Sequence, residues 1–333
     1  MPSRFARHLF LVRLAARLAL RRLRAGFSAI PIPPGLIIEL TSACNLRCHG
    51  CSCIKADRPE RRMPRETLLR LVAEAAALGI PRISFTGGEP LLELASIRSA
   101  LERFPQISFS FVTNGLLLTR EIVASLEPFP HILVLLSTDG PEASARFRSP
   151  DSSTAFLSAA TLLKASGIPF GASVRVYREN LLETTSPAFP AFLASQGCSF
   201  AVFSPLLPFD PSSGPLTPLS ASDREQLTRL CKGSDRQAGI ELLSPCLEPA
   251  PCAAGGRVIA VSADGWILPC PHIPWSLHRY PNHSLEEAVR SPFFKDLRRP
   301  ATPTGSPCHV LDGHPGLLET AGRHQATNII DLA

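Results

Sequence analysis

The chain has 333 residues, a length sufficient for one large and one small domain. Of these residues 45% are hydrophobic and 19% charged, a balance that argues against an intrinsically disordered protein. The formal net charge of +6 is carried by seven arginines near the N-terminus, so the nearly neutral remainder argues against a nucleic-acid-binding enzyme. Ten cysteines in a chain of this length, with no signal peptide in its sequence, indicate metal ligands in a reducing compartment and not a disulfide framework.

The first predicted element is a basic helix within residues 1–30. Residues 4–24 alternate leucine, alanine and valine with arginine, and Arg13, Arg17 and Arg21 lie at i, i+4 spacing. Two interpretations stay open: residues 1–26 contact an anionic membrane surface, or the helix packs on the rest of the chain with its arginines in solvent. Because no apolar run is long enough to span a bilayer, we expect a cytoplasmic protein, either free or peripheral to the membrane.

From residue 36 onward, short apolar strands alternate with helical patterns. The predicted strands are 36–40, 82–86, 108–113, 131–137, 170–176 and 199–205. The predicted helices are 66–78, 94–104, 119–126, 155–166, 187–195 and 223–231. This alternation predicts an α/β fold with a parallel sheet covered by helices, and six such units fit either a partial barrel or an open sheet.

Small and polar residues follow the first four predicted strands, at positions 41–44, 86–90, 113–115 and 137–140. Parallel α/β folds build their sites at the carboxyl ends of strands. We therefore expect the chemistry-bearing residues of the core domain, predicted over 31–235, to converge on one rim.

The strand and helix rhythm stops near residue 205. Residues 205–220 are rich in proline and serine and predict a linker or long loop. Residues 236–333 contain four cysteines and a predicted hairpin over 257–269 that turns at Asp264-Gly265. We predict a small second domain here, and we interpret Asp264 as a turn residue and not as a base.

Three cysteines, Cys44, Cys48 and Cys51, follow the first predicted strand with C-x3-C-x2-C spacing. Three thiolates from one loop hold three irons of a [4Fe–4S] cube, and without a well-spaced fourth cysteine the fourth iron stays open. Zinc is the alternative, and it needs a fourth ligand, for which His49 or Cys53 is available. The spacing of Cys53 matches no common ligand pattern, so we leave it out of the cluster.

This cysteine loop, followed after the second strand by Gly87-Gly88-Glu89-Pro90, resembles the radical S-adenosylmethionine (SAM) superfamily over residues 36–235. The resemblance implies a partial (β/α)6 TIM-like barrel, a [4Fe–4S] cluster whose open iron chelates SAM, and an electron donor such as flavodoxin or ferredoxin. It also implies reductive cleavage of SAM to a 5′-deoxyadenosyl radical that abstracts a substrate hydrogen. Gly50 departs from the pattern, because many members carry an aromatic residue before the third cysteine.

The same resemblance assigns SAM contacts to six residues: Gly87, Gly88, Glu89, Asn114, Ser137 and Arg148. The two glycines would let the backbone approach the SAM amino group, with Glu89 nearby. Ser137 would meet the ribose, and Arg148 would pair with the SAM carboxylate, which suits a bidentate guanidinium. Asn114 and Arg175 are explained equally well as ordinary strand residues, and Arg175 faces either the pocket or solvent.

A second set of four cysteines resembles the SPASM/twitch modules attached to many radical SAM enzymes. The set consists of Cys246, Cys252, Cys270 and Cys308. The resemblance implies one auxiliary [4Fe–4S] cluster without an open iron, since four thiolates saturate it. Cys308 has the longest spacing, and zinc bound by the same thiolates is the main alternative. Cys198 and Cys231 are interpreted as buried structural thiols.

Together these features predict a radical SAM oxidoreductase with one auxiliary cluster. Peptide or protein maturation is the first interpretation, because the resemblance to SPASM/twitch enzymes favours it. Modification of a lipid or another small molecule is the second. A non-catalytic zinc or electron-transfer protein is the alternative from another class, and no nucleic-acid partner is expected.

Overall fold

The computed structural model describes residues 32–51, 59–207, 214–232, 240–247, 252–298, 308, 310 and 315–329. The basic N-terminal segment, with its predicted membrane contact, and Cys53 lie outside the described residues. Within the described part of the chain, none of the helices is long and apolar enough to cross a membrane.

Ten strands of the described residues form one sheet, in which the first seven are parallel neighbours in chain order. These seven are β1 (Gly35–Thr41), β2 (Arg82–Gly87), β3 (Ser108–Thr113), β4 (Ile132–Thr138), β5 (Phe170–Val176), β6 (Phe200–Pro205) and β7 (Glu241–Leu243). The other three are β8 (Val258–Val261), β9 (Trp266–Leu268) and β11 (His278–Arg279), while β10 (Trp275–Ser276) and β12 (Thr327–Asn328) pair in a small second sheet. β8 runs parallel to β1 on its free side, and β9 and β11 continue that edge in antiparallel order.

The helices of the core follow its strands. They are α1 (Arg65–Ala77), α2 (Leu94–Arg103), α3 (Arg120–Leu126), α4 (Pro141–Phe147), α5 (Ser152–Ser166), α6 (Leu181–Thr185), α7 (Ala188–Gln196) and α8 (Ala221–Lys232). The C-terminal region adds α9 (Leu285–Arg290), α10 (Pro292–Leu297) and α11 (Pro315–Arg323). Short 3-10 turns lie at Pro90–Glu93 and Arg178–Asn180.

Helix α1 shows how the sequence sets these elements. Its buried residues recur at three- and four-residue spacing and form one stripe against the sheet: Leu68, Leu71, Val72 and Ala75. Gly79 follows the helix with a φ of +75°, a conformation that glycine adopts without strain. The chain then returns to the core at Ile80, which is 1% exposed and leads into β2.

The core strands have one buried face and one partly exposed face. In β3, Phe109 and Phe111 are buried against the helices, whereas Ser110 and Val112 alternate with them and are partly exposed. The same alternation runs through the other strands from β1 to β6. Among the described residues the sheet does not close into a barrel, because its edge strands β7 and β11 do not pair with each other, so the partly exposed face lines an open lumen.

The predicted α/β partial barrel is confirmed. All twelve predicted strands and helices are present, with ends shifted by at most three residues. The predicted hairpin is also present, because β8 and β9 pair around a turn at Asp264-Gly265. The prediction did not include β7, the short helices α4 and α6, or the C-terminal elements β10–β12 and α9–α11. The sheet continues from β1 into β8, and the division into domains at residue 235 stays a prediction.

Candidate functional site

The loop that follows β1 carries the three clustered cysteines. Its start is fixed against the segment that leads into α1: the N–H of Ser42 donates to the carbonyl of Arg61 (2.8 Å), and the N–H of Arg61 donates to Ser42 Oγ (2.8 Å). Farther along, the thiol of Cys44 accepts the N–H of Leu46 at 3.4 Å. The loop therefore continues β1 in an ordered way and presents its cysteines at the carboxyl end of the sheet.

Cys44, Cys48 and Cys51 are half-buried thiols that lie close enough to influence one another. Burial raises the pKa of Cys48 to about 11, and the neighbouring thiols of Cys51 and Cys44 act in the same direction. Burial also raises the pKa of Cys44, with a further contribution from Cys51. The three side chains predicted as ligands therefore share one partly desolvated space.

Gly87 and Gly88 allow β2 to end directly against the cysteine loop. Gly87 has a φ of +136°, and a Cβ atom on either glycine would overlap backbone atoms of Thr41 or Ala43. Two hydrogen bonds close the contact: the N–H of Gly88 donates to the carbonyl of Thr41 (2.7 Å), and the N–H of Glu89 donates to that of Ala43 (2.8 Å). Backbone packing alone therefore requires glycine at both positions.

The carboxylate of Glu89 joins the ends of β2 and β3. It is 1% exposed, and its two oxygens accept the backbone N–H groups of Leu91 (3.0 Å) and Asn114 (2.9 Å). Burial raises the pKa of Glu89, while these two bonds oppose the increase. Because both oxygens are engaged, Glu89 holds the rim together between the two strands.

Asn114 links the end of β3 to the cysteine loop. Its Nδ2 donates to Asn45 Oδ1 (2.8 Å) and lies 3.9 Å from Cys44 Sγ, while its Oδ1 accepts the N–H of Leu116 (3.0 Å). Asn45 is absent from the predicted site residues. Its position directly after Cys44 is the sequence feature that could have identified it. The amide pair ties the first cysteine to the neighbouring strand end.

Arg148 forms a buried ion pair at the same rim. Its Nη1 lies 3.0 Å from Asp139 Oδ1, and the two side chains are 15% and 3% exposed. Asp139 also accepts a hydrogen bond from Tyr177 Oη at 3.4 Å. Arg148 lowers the pKa of Cys48, against the effect of burial, so its charge lies near the cysteines while already paired. Asp139 and Tyr177 are absent from the predicted site, although Asp139 stands in the quoted strand-end motif.

Ser137 lies on the lumen face of β4, where it is partly exposed and stands opposite Ser173 of β5 in the strand register. It therefore opens onto the same lumen as the rim. The roles predicted for Ser137 and the other SAM-contact residues stay predictions at this point.

Gly50, the departure from the family pattern, fills a place where a side chain does not fit. Its φ is +69°, and a Cβ atom there would lie 2.9 Å from a methyl carbon of Leu216 and 3.0 Å from one of Leu206. These two leucines belong to a small buried cluster with Phe147 and Tyr177. Apolar side chains from elsewhere in the chain thus occupy the space beside the third cysteine.

The four C-terminal cysteines come together although they are far apart in the sequence. Cys308 is 6% exposed and hydrogen-bonds the thiols of Cys246 and Cys252; the bond with Cys246 raises the pKa of Cys308 to about 11. Burial raises the pKa of Cys270, and Cys252 and Cys308 lie close enough to raise it further. The structure therefore brings together all four predicted ligands of the auxiliary cluster, Cys308 included.

Glu39 connects the two cysteine regions. It lies on the lumen face of β1, and its Oε2 accepts the N–H of Ala263, in the β8–β9 turn, at 3.4 Å. Burial raises the pKa of Glu39 to about 7, although Arg61 opposes the increase. Arg61 also pairs with Asp264 of the same turn at 3.6 Å. Glu39 was not among the predicted site residues. The sequence feature that could have identified it is an acidic residue inside an otherwise apolar strand.

Both cysteine sets have a donor chemistry that fits iron–sulfur clusters. Each thiolate of a [4Fe–4S] cube binds a different iron, whereas a zinc site requires its ligands to converge on one ion. The thiol contacts of Cys308 suit either arrangement, so the choice between an iron–sulfur cluster and zinc stays a prediction. His49, the proposed fourth zinc ligand, is exposed, and its backbone N–H donates to the carbonyl of Phe147 (2.9 Å).

Residues 38–181 match a family model described as the radical SAM superfamily. The matched range includes the cysteine loop, the glycine contact and the rim as far as Arg148. Over this range the chain is similar to the radical SAM superfamily. The match favours the radical SAM enzyme over the non-catalytic zinc or electron-transfer protein.

Two curated relatives are PqqA peptide cyclases. That of Granulibacter bethesdensis is 31% identical over 161 residues, which are 46% of this chain and 42% of that protein. That of Gluconobacter oxydans is 27% identical over 261 residues, 72% of this chain and 71% of that protein. The chain thus aligns with less than half of the first relative's length and with about seven tenths of the second's.

Among solved structures, the chain resembles SuiB of Streptococcus suis. The SAM-bound form superposes with a TM-score of 0.66 at 16% identity, over 89% of this chain and 76% of SuiB. SuiB bound to its precursor peptide SuiA gives a TM-score of 0.61, also at 16% identity, over 84% of this chain and 70% of SuiB. At this identity the likeness shows a shared fold.

Proposed function

We propose that this radical SAM enzyme modifies a peptide or protein substrate. The observation that carries the proposal is the relation to the PqqA peptide cyclase of Gluconobacter oxydans, which extends over 72% of the chain. It therefore reaches well beyond the 38–181 core that defines the superfamily. The fold shared with SuiB, solved with its precursor peptide, supports the same substrate class.

The half-buried thiols of Cys44, Cys48 and Cys51 are the proposed ligands of the SAM-binding cluster. When bound, the [4Fe–4S] cluster and SAM supply an electron and a 5′-deoxyadenosyl radical that takes a hydrogen atom from the substrate. The close approach of Gly87 and Gly88 to the loop supports their role beside the SAM amino group. The tight packing of this rim serves to hold SAM and to exclude water from the reacting atoms.

Ser137 and Arg148 are the proposed contacts for the rest of SAM. Ser137 opens onto the lumen and has a hydroxyl free to meet the ribose. Arg148 uses Nη1 for Asp139, but a guanidinium has five N–H donors, so the remaining ones suit the SAM carboxylate. In this arrangement Asp139 and Tyr177 orient Arg148. Asn114 holds the first cysteine through Asn45.

Cys246, Cys252, Cys270 and Cys308 are the proposed ligands of one auxiliary [4Fe–4S] cluster. The contacts that join Cys308 to Cys246 and Cys252 support this assignment. A substrate that has lost a hydrogen atom completes a two-electron oxidation by giving up one electron and one proton. The auxiliary cluster is the group suited to take that electron, and an external flavodoxin or ferredoxin would supply the electron for SAM. Oxygen-sensitive clusters of this kind suit the cytoplasm.

A direct test combines the anoxic enzyme, SAM and a reductant with candidate peptides encoded beside its gene. We expect 5′-deoxyadenosine to form. We also expect one peptide to appear in a form of altered mass, in an amount proportional to the 5′-deoxyadenosine. The matched control is the Cys44→Ala variant, which should do neither. If the enzyme forms 5′-deoxyadenosine and modifies a lipid or small molecule while every candidate peptide stays unchanged, the peptide proposal is wrong.

A further inference from the structure

Arg175 lies on the lumen face of β5. Its neighbours Val174 and Val176 are fully buried against the helices, whereas Ser173 and Arg175 alternate with them and are partly exposed. In the strand register Arg175 stands opposite Ser204 of β6, which also has a partly exposed position. The guanidinium therefore belongs to the lumen wall near the carboxyl ends of β5 and β6.

The guanidinium of Arg175 has a buried nitrogen without a partner. Its Nη1 is shielded from solvent and makes no hydrogen bond, and Arg175 takes part in none of the ion pairs found among the described residues. By contrast, the other two arginines at this rim are paired, Arg148 with Asp139 and Arg61 with Asp264. A buried polar nitrogen without a hydrogen bond is costly, so its presence here calls for an explanation.

The described carboxylates near this side of the rim are already engaged. Asp139 binds Arg148, and Glu89 accepts two backbone N–H groups. Glu183 accepts the backbone N–H groups of Glu142 (2.9 Å) and Ala143 (3.2 Å) at the start of α4. The described part of the chain therefore offers Arg175 no carboxylate of its own.

We propose that Arg175 binds a carboxylate that enters the lumen, and that this carboxylate belongs to an acidic side chain or the C-terminus of the peptide substrate. A guanidinium matches the two oxygens of a carboxylate with parallel N–H donors. The hydroxyls of Ser173 and Ser204, next to Arg175 on the same face, add donors for the same group. The bound carboxylate would satisfy the buried Nη1.

The assignment of Arg148 favours the substrate over SAM as the source of this carboxylate. Arg148, which pairs with Asp139 after β4, is the proposed partner of the SAM carboxylate, so the guanidinium of Arg175 on β5 is left for a second carboxylate. The assignment of this carboxylate to a peptide substrate rests on the proposed function. The binding of a carboxylate at Arg175 does not depend on that proposal, because SAM also carries a carboxylate.

The first experiment measures how fast phenylglyoxal modifies Arg175 in the anoxic holoenzyme, using mass spectrometry of the digested protein. The two probes are N-acetyl-glutamate α-amide and its neutral counterpart N-acetyl-glutamine α-amide. We expect the acid to slow modification of Arg175 and the neutral amide to leave it unchanged. The built-in control is Arg178, which is exposed and pairs with Asp223 (3.3 Å); its rate should respond equally to both probes.

A second arm identifies the source of the carboxylate by comparing SAM with decarboxylated SAM. When the glutamate probe protects Arg175, equal protection by SAM and decarboxylated SAM, or protection by neither of them, leaves the substrate as the source and supports the proposal in full. Protection by SAM alone keeps the carboxylate site and overturns its assignment to the substrate. If neither SAM nor the glutamate probe protects Arg175 more than its neutral counterpart does, the proposal as a whole is overturned.

The Arg175→Gln and Arg175→Lys variants extend the test to turnover once a peptide is known. Loss of a charged hydrogen-bonding partner predicts a rise in KM for an acidic peptide of roughly tenfold or more in Arg175→Gln, with partial rescue in Arg175→Lys. The affinity for SAM should stay unchanged, and Arg178→Gln should behave like the parent enzyme. The protection experiment needs no turnover. Its result can therefore be interpreted even if no peptide substrate is found.

Discussion

The two cysteine regions of the chain are built in opposite ways. Cys44, Cys48 and Cys51 come from one loop, so the local sequence places them together. The other set runs from position 246 to position 308, and it meets only because Cys308 contacts Cys246 and Cys252 in the folded chain. The proximity of the first three cysteines is therefore set by one short segment, whereas the proximity of the other four depends on the tertiary structure.

The difference extends to what holds each region in place. The first loop is held by backbone contacts with the end of β2, and these exist because Gly87 and Gly88 lack side chains. The four later cysteines pack on or in the hydrophobic core. We therefore expect the first region to be sensitive to small changes next to it, and the second to depend on the fold of the C-terminal region as a whole.

The largest effect should follow from removing one of the first three thiols. Cys44→Ala leaves the SAM-binding cluster with two ligands, so 5′-deoxyadenosine formation should fall to the background of the assay. The measurement is chromatography of anoxic reactions containing reductant and SAM. Cys198→Ala is the control, because Cys198 is a buried thiol just before β6, at the opposite end of the parallel strands from the first cysteine loop. Formation of the product by Cys44→Ala at the parent rate would contradict the assignment.

The next effect separates the two regions. Cys308→Ala should lower the iron content from about eight to about four atoms per chain, because one ligand of the auxiliary cluster is lost. Cleavage of SAM without peptide should continue, since Cys44, Cys48 and Cys51 are untouched. Iron analysis and the 5′-deoxyadenosine assay on one preparation measure both. An unchanged iron content would show that Cys308 is not a ligand.

Glu39 lies between the regions, and its ionisation should couple stability to pH. Burial raises its pKa from 4.5 to about 7, so the unfolded state loses this proton first as pH rises. The stabilising effect is present below about pH 4.5 and is lost as pH rises to about 7, by about 3 kcal/mol at 1.36 kcal/mol per pKa unit. Relative to the parent, Glu39→Gln should therefore become more stable across this window.

The measurement for Glu39 is anoxic chemical denaturation of both proteins at a series of pH values between 5 and about 8. The difference in unfolding free energy between them removes contributions from the other titrating groups. A difference that stays flat across the series would show that Glu39 titrates at its ordinary pKa.

The smallest expected effect concerns the packing of the first loop. Gly88→Ala places a Cβ atom against the carbonyl of Ala43, which should lower the free energy of unfolding by about 1–3 kcal/mol and weaken SAM binding. Gly322→Ala is the matched control, because nothing lies within 4 Å of its added Cβ atom. Thermal unfolding compares the two variants. An equal free energy of unfolding for the two variants would mean that the cysteine loop shifts to accommodate the Cβ atom of Gly88→Ala without loss of stability.

The sequence predicted the barrel and the first cysteine loop because both depend on local patterns. Apolar strands, helical periodicity and strand-end turns are written in consecutive residues, as for α1 and its terminating Gly79. β7 was missed because three residues carry too short a pattern. The short helix α4 was missed because it has only seven residues and begins at Pro141, directly after the strand-end motif at 137–140.

The remainder of the site depends on long-range contacts that no local pattern shows. Asp139 binds both Arg148 and Tyr177, and these three residues come from three places in the fold. The neighbours of Gly50, Leu206 and Leu216, come from beyond β6. Glu39 was missed because its burial depends on the β8–β9 turn, more than two hundred residues later.

The central claim is that two clusters exist and that only the one at the first loop binds SAM. Electron paramagnetic resonance of the reduced holoenzyme, with and without SAM, tests it most directly in the parent, in a Cys44→Ala/Cys48→Ala/Cys51→Ala variant and in Cys308→Ala. The account predicts a SAM-induced change of the cluster signal in the parent and in Cys308→Ala, and none in the triple variant, which keeps about four irons. A SAM-sensitive signal in the triple variant, or its absence from the parent, would contradict the account.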